Sequence, residues 1–273
     1  YACWSACKKL LKNNGNYEFI CCYPLQSKKT FILTPTHFFL AKKNFKPDDK
    51  DSFIFPWYYI RGFKVSNEQV DLEFKSLNEN PSPDEKLNFK LKFEKNQYDE
   101  GVGRLCNTLQ NVLVPRELRV IKFYNLDAPR VQINALSALY RFRMLNSIAK
   151  LNSKTTKQIE DIIIYSQPEL DVSRLPEEAD KTLPVIYKLL PFLYNVQTLK
   201  IPPNSLSIDD AFTPIKDTTS LYALRLSGEC GKSLQEFLKY ITQAEDRGTQ
   251  LSGVVFNKSN FNSEDIENIS DFV

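Results

Sequence analysis

Four short apolar motifs recur through the second half of the chain and restrict its fold more than any other feature. They are Leu170-x-Val172, Val196-x-x-Leu199-x-Ile201, Leu221-x-x-Leu224-x-Leu226 and Leu251-x-x-Val254-x-Phe256. Their anchor positions 170, 199, 224 and 254 stand 29, 25 and 30 residues apart. Between them run amphipathic stretches with helical spacing, LPVIYKLLPFLYN and SLQEFLKYITQA. A strand followed by a helix cannot bury its apolar face alone, so units of this kind must stack, strand beside strand and helix beside helix.

One strand and one helix per ~20 to 29 residues is the period of the leucine-rich repeat, whose strands form a parallel concave sheet. The repeat expects Asn or Cys three positions after the last strand anchor. Asn204 fits, while Cys230 and Asn260 each arrive one residue late. The segment Ile159 to Tyr165, IEDIIIY, reads as a strand that caps the array. Side-chain alternation around the buried anchors exposes Thr198 and Lys200, Ala223 and Arg225, and Gly253 and Val255. These six residues are the expected protein-binding concave face.

The front half has a different texture. Residues 4 to 12 place Trp4, Cys7, Leu10 and Leu11 on one stripe, a short lead-in helix ended by Asn13, Asn14 and Gly15. From Tyr17 to Phe93 short aromatic and β-branched segments alternate with turn clusters: YEFICCY, TFIL, HFFLA, SFIFPWYYI, GFKV, VDLEF and NFKLKF. Val70, Leu72 and Phe74 share one face, as do Leu87, Phe89, Leu91 and Phe93. A helix is predicted over Tyr98 to Val114, with Val102, Leu105, Leu109, Val112 and Leu113 in periodic positions and Pro115 closing the run. About seven strands followed by one helix is the order of a pleckstrin-homology superfold. A second helix, from about Ile133 to Ala149, should bury Leu136, Leu139, Phe142 and Leu145.

The expected fold is therefore an α+β, pleckstrin-homology-like barrel or sandwich with a C-terminal helix, followed by an α/β leucine-rich-repeat solenoid. The expected boundaries are a lead-in helix at 1–16, the β module at 17–115, a helical linker at 116–158, and a cap with the first repeats at 159–273. The chain begins at Tyr1 and ends inside the repeating pattern, and so reads as a piece of a longer protein.

Charge and cysteines narrow the partners. The net charge is +3, with 17 Lys and Arg against 13 Asp and Glu in residues 1 to 115. That excess is too small for a dedicated nucleic-acid binder and suits a weak pull toward anionic membrane. Lys28, Lys29, Lys42, Lys43 and Lys46 fall in predicted strand-to-strand loops and are the expected lipid contacts. The six cysteines, at 3, 7, 21, 22, 106 and 230, form neither a disulfide framework nor paired metal hooks. Free thiols imply a reducing compartment, which leaves the sequons at Asn257 and Asn268 unglycosylated. No run approaches the ~20 apolar residues of a membrane span, and YACWSACKKLLKNNG lacks the apolar core of a secretory signal.

Catalytic signatures are weak. Gly231-Lys232-Ser233 follows a strand as a phosphate loop would, but the glycine needed five residues earlier is Leu226, a core anchor. His37 is the only histidine and reads as a packed strand residue. Asp209-Asp210 and Glu177-Glu178 sit where predicted helices begin and complement the helix dipole. The reading is accordingly non-enzymatic, without cofactor, nucleotide or metal.

The order of elements and several segments resemble the CARMIL family of actin-regulating leucine-rich-repeat proteins. TFILTPTHFFLAKK is similar to an early strand pair of that family, FPWYYIRGFKV to its following strands and YDEGVGRLCNTLQNVLVP to its closing helix. RFRMLNSIAKLNSKTTKQIEDIIIY, PELDVSRL and VIYKLLPFLYNVQTLKIP resemble its cap and first repeat. The resemblance implies a pleckstrin-homology domain that attaches to acidic membrane, a helical linker, a solenoid that binds protein, and a cytoplasmic place at the cytoskeleton or membrane cortex. Lys28, Lys29, Lys42 and Lys43 carry over as electrostatic contacts only. The alternative is a structural repeat protein of a microtubule or other cytoskeletal assembly that binds no lipid.

Overall fold

A computed structural model describes residues 18–42, 53–66, 68–75, 86–125, 127, 129–177, 179–201, 215, 218, 220–227 and 253–257. The chain forms two compact units, Tyr1–Gln132 and Ile133–Val273. The predicted lead-in helix at 1–16, the Gly231-Lys232-Ser233 motif, Asp209 and Asp210 lie outside the described residues.

In the first unit, strands β1 (Cys21–Pro24), β2 (Lys29–Leu33), β3 (His37–Lys42) and β4 (Phe53–Pro56) form an antiparallel meander in that order. Strands β5 (Ile60–Ser66), β6 (Gln69–Lys75) and β7 (Lys86–Lys92) form a second antiparallel run. The alternation predicted for the last strands is present: Val70, Leu72 and Phe74 are buried, as are Phe89, Leu91 and Phe93. Among the described residues the two sheets do not close into a barrel. They meet at one corner, where Leu25 bridges Phe93 and the Gln26 amide N–H donates to the Lys92 carbonyl at 3.0 Å.

Aromatic rings fill the space between the sheets. Phe38 lies 5.4 Å from Phe74 and 5.1 Å from Phe89, centroid to centroid, and Trp57 is fully buried beside Phe38 and Phe74. Trp57 also ties the short β2–β3 turn, its Nε1–H donating to the Thr34 carbonyl at 3.1 Å and its backbone N–H to that of Thr36. A buried indole needs such a partner.

Helix α1 (Tyr98–Val112) follows, burying Leu105, Leu109 and Val112. The Tyr98 hydroxyl donates to the Ser66 carbonyl at 2.8 Å. Pro115 starts helix α2 (Pro115–Val120), as its fixed φ and missing N–H favour. Strand β8 (Lys122–Tyr124) then joins β5 in parallel as an edge strand, giving the order β7-β6-β5-β8. Residues 116–132, expected as the start of a linker, thus belong to the first unit.

The second unit opens with helix α3 (Ala135–Ala149), capped by Asn134: its Oδ1 accepts from the Ser137 N–H at 2.9 Å while the Ser137 hydroxyl accepts from the Asn134 N–H. Phe142 and Leu145 are buried as predicted, but Leu136 is 54% exposed. The buried stripe runs instead through Ala138, Arg141, Phe142 and Leu145. Arg141, 1% exposed, donates from Nε to the Lys188 carbonyl at 3.2 Å and lies over the Phe192 ring.

The segment expected as a capping strand is helix α4 (Ser153–Ile164). Asn152 caps it, and Thr155, Ile159 and Ile163 are buried at four-residue spacing. The isoleucine run favours a strand by propensity, but its placement beside α3 gives the helical face the burial, and burial decides. Arg143 of α3 pairs with Glu160 of α4 at 2.8 Å.

Strands β9 (Glu169–Asp171), β10 (Thr198–Ile201), β11 (Ala223–Ser227) and β12 (Gly253–Asn257) form one parallel sheet in sequence order. Leu170 pairs with Leu199, Leu199 with Leu224, and Leu224 with Val254. The four anchors therefore occupy one rung. Helix α5 (Ala179–Leu189) supplies the crossover from β9 to β10 and buries Leu183, Val185, Ile186 and Leu189.

Candidate functional site

Two places gather the residues singled out from sequence. The first is one end of the β1–β4 sheet. The β1–β2 turn is fixed by the Leu25 N–H donating to the Lys29 carbonyl at 2.8 Å and the Lys28 N–H to that of Leu25 at 3.0 Å. Lys28 is exposed in this turn with φ of 60°, and Lys29 starts β2 with its Nζ 5.7 Å from the Phe53 ring centroid. Lys29 and Lys42 are register partners across β2 and β3. Chain topology thus brings Lys28, Lys29 and Lys42 to the same sheet end, whereas Lys43 and Lys46 lie outside the described residues.

The second place is the face of the parallel sheet opposite the anchors. Period-two alternation sends Glu169, Thr198, Ala223 and Gly253 to this face in one register row, and Asp171, Lys200, Arg225 and Val255 in the next. Leu170, Leu199 and Leu224 point the other way and are at most 1% exposed. All six residues predicted for the face are partly or fully open to solvent, Val255 most clearly at 42%.

The face is polarised. Both acids sit on β9 and both bases on β10 and β11. Lys200 Nζ lies 2.6 Å from Glu169 Oε1 and 3.7 Å from Asp171 Oδ2, and Arg174 Nε lies 3.1 Å from Asp171 Oδ2. Arg225 is served worse: its Nη1 is 3.9 Å from Glu169 Oε2, and its buried Nε has no hydrogen-bond partner among the described residues. Beside β9 a cleft of about 450 Å³ opens toward α4, lined by Asp161, Ile162, Gln167, Glu169, Asp171 and Arg174.

Glu169 and Asp171 escaped the sequence reading. The signal was present, because the alternation rule that exposed Thr198 and Lys200 around Leu199 exposes Glu169 and Asp171 around Leu170.

Other reactive side chains have structural positions. His37 is buried in β3, and burial pulls its imidazole down to about 4. Its Nδ1 is 2.7 Å from the Thr36 hydroxyl oxygen. Burial pushes the Cys21 thiol up to about 11, so it stays protonated and unreactive. Glu177 accepts from the Asn152 N–H at 2.6 Å, which holds its carboxyl below the usual range. Among the described residues no group of three or more His, Cys, Asp and Glu could hold a metal ion, and no helix is long and apolar enough to cross a membrane. No family model matches the chain, and no curated protein matches it.

Proposed function

We propose that the protein is a non-enzymatic scaffold that docks a partner protein on the open face of its parallel sheet and attaches weakly to acidic membrane through its first unit. The observation that carries this reading is the rung alignment of Leu170, Leu199, Leu224 and Val254. It leaves one broad face of side chains uncommitted to the core, as a leucine-rich-repeat solenoid does. The two antiparallel sheets and following helix α1 support a pleckstrin-homology-like reading of the first unit. The resemblance to CARMIL proteins supports a cytoplasmic, cortical role.

A photo-crosslinking residue tests the docking face. Placed at Val255 or Ala223 in the chain expressed in its native cells, it should capture a protein, and placed at the exposed Tyr165 on the end of α4 it should not. Equal capture at all three positions contradicts the reading. Vesicle co-sedimentation tests the membrane arm. Each lysine near an anionic surface contributes about 1 kcal/mol, so Lys28→Glu should weaken binding to phosphatidylserine vesicles by at least about five-fold at low salt. No sedimentation of the unaltered chain at low salt would remove that arm and leave the docking face as the whole function.

A further inference from the structure

Resting on the docking reading, we infer that the partner segment taken by the sheet face is acidic, with Arg225 as its carboxylate clamp. Along one register row the face reads Asp171, Lys200, Arg225, Val255. The two carboxylates on β9 are already satisfied at close range, Glu169 by Lys200 and Asp171 by Arg174 and Ser173. Arg225 is not. Its only ion pair among the described residues spans 3.9 Å, beyond hydrogen-bonding distance, and its Nε is buried without a partner. The side chain as a whole is 42% exposed, so a ligand can reach the guanidinium from solvent, and a docked carboxylate supplies the acceptor that Nε lacks. The planar fork suits a bidentate carboxylate, a geometry that the point charge of a lysine does not supply.

The neighbouring position defines the rest of the ligand. Val255, one strand further on and 42% exposed, offers an apolar contact beside the clamp. Small residues in the adjacent row, Ala223 and Gly253, let a backbone approach; a side chain at Gly253 would meet no described atom within 4 Å. The complementary segment therefore carries Asp or Glu next to an aliphatic side chain. Glu169 is an internal competitor, since its second oxygen reaches toward Arg225 while the first holds Lys200.

The opposing roles of Arg225 and Glu169 supply the test. Short synthetic peptides with Glu and Leu in alternation, their Gln-for-Glu counterparts and Lys-for-Glu counterparts are titrated against the full chain by fluorescence anisotropy. The Glu peptide should bind best. Arg225→Gln should weaken it about ten-fold, and Glu169→Gln should tighten it several-fold, a gain that a merely damaged fold cannot produce. Arg225→Lys should recover only part of the loss. Preference for the Lys peptide, Arg225-independent binding, or Arg225-dependent binding of a single-stranded oligonucleotide in place of the Glu peptide would overturn the acidic-partner inference. The docking reading would then still stand on the Val255 crosslink. Failure of all three peptides together with no Val255 capture would remove both.

Discussion

Gly101 and Gly103 lie two residues apart on α1 and face opposite surroundings. A Cβ on Gly101 would come within 2.6 Å of the Phe93 ring, which is fully buried and packed against Phe31 and Tyr23. A Cβ on Gly103 would meet nothing within 4 Å. Replacing a helical glycine by alanine gains about 0.8 to 1 kcal/mol, while overpacking a core costs about 1 to 3 kcal/mol. Gly103→Ala should therefore raise the thermal midpoint and Gly101→Ala should lower it, read side by side by calorimetry. Shifts of the same sign would show that α1 does not seat against Phe93 as described.

His37 ties the stability of the fold to pH. Its imidazole stays neutral down to about 4 in the folded chain against 6.5 when exposed, so the unfolded chain binds the proton first. The resulting stability is complete above pH 6.5 and is lost as pH falls from there through 4, on the order of 3 kcal/mol in all. In denaturant titrations across that window, His37→Gln should show a shallower decline in stability than the unaltered chain. An unchanged slope would place His37 in contact with water.

At the scale of elements, legibility followed the strength of the alternation. The meander and the rungs were readable from apolar positions recurring at every second residue, most plainly where polar neighbours flank the anchor, as Thr198 and Lys200 flank Leu199. Two elements and the facing of one residue were not readable. IEDIIIY has the β-branched density of a strand, and only the cap at Asn152 and the four-residue spacing of Thr155, Ile159 and Ile163 mark it as α4. Strand β8 has three residues, too few to show a period, and its pairing with β5 depends on contacts far away in sequence. Leu136 stands in the first turn of α3, where a helix often extends past the surface it covers. The rung anchors can be tested directly. Leu224→Ala should cost about 2 to 5 kcal/mol in urea unfolding, as for a fully buried leucine, while Thr198→Ala on the open face should stay within about 0.5 kcal/mol. Equal costs would mean that the two faces of the sheet are not distinguished.

At the scale of the whole molecule, the candidate site was half visible in the sequence. The six face residues came from alternation, and so would Glu169 and Asp171 have done. What no pattern could show is how unevenly the charges are satisfied: Lys200 held at 2.6 Å and Arg225 left at 3.9 Å. That inequality exists only once the strands are in register, and the register is therefore what the whole account depends on. Disulfide mapping measures it. Cysteines introduced at Ala223 and Gly253, register partners on adjacent strands, should lie about 5 Å apart and bridge readily under mild oxidation, whereas Thr198 and Gly253, two strands apart at about 10 Å, should not. Bridging of the first pair alone, identified by peptide mass spectrometry, is the predicted result; failure of that pair, or equal bridging of both, would contradict the parallel stack and the face built on it.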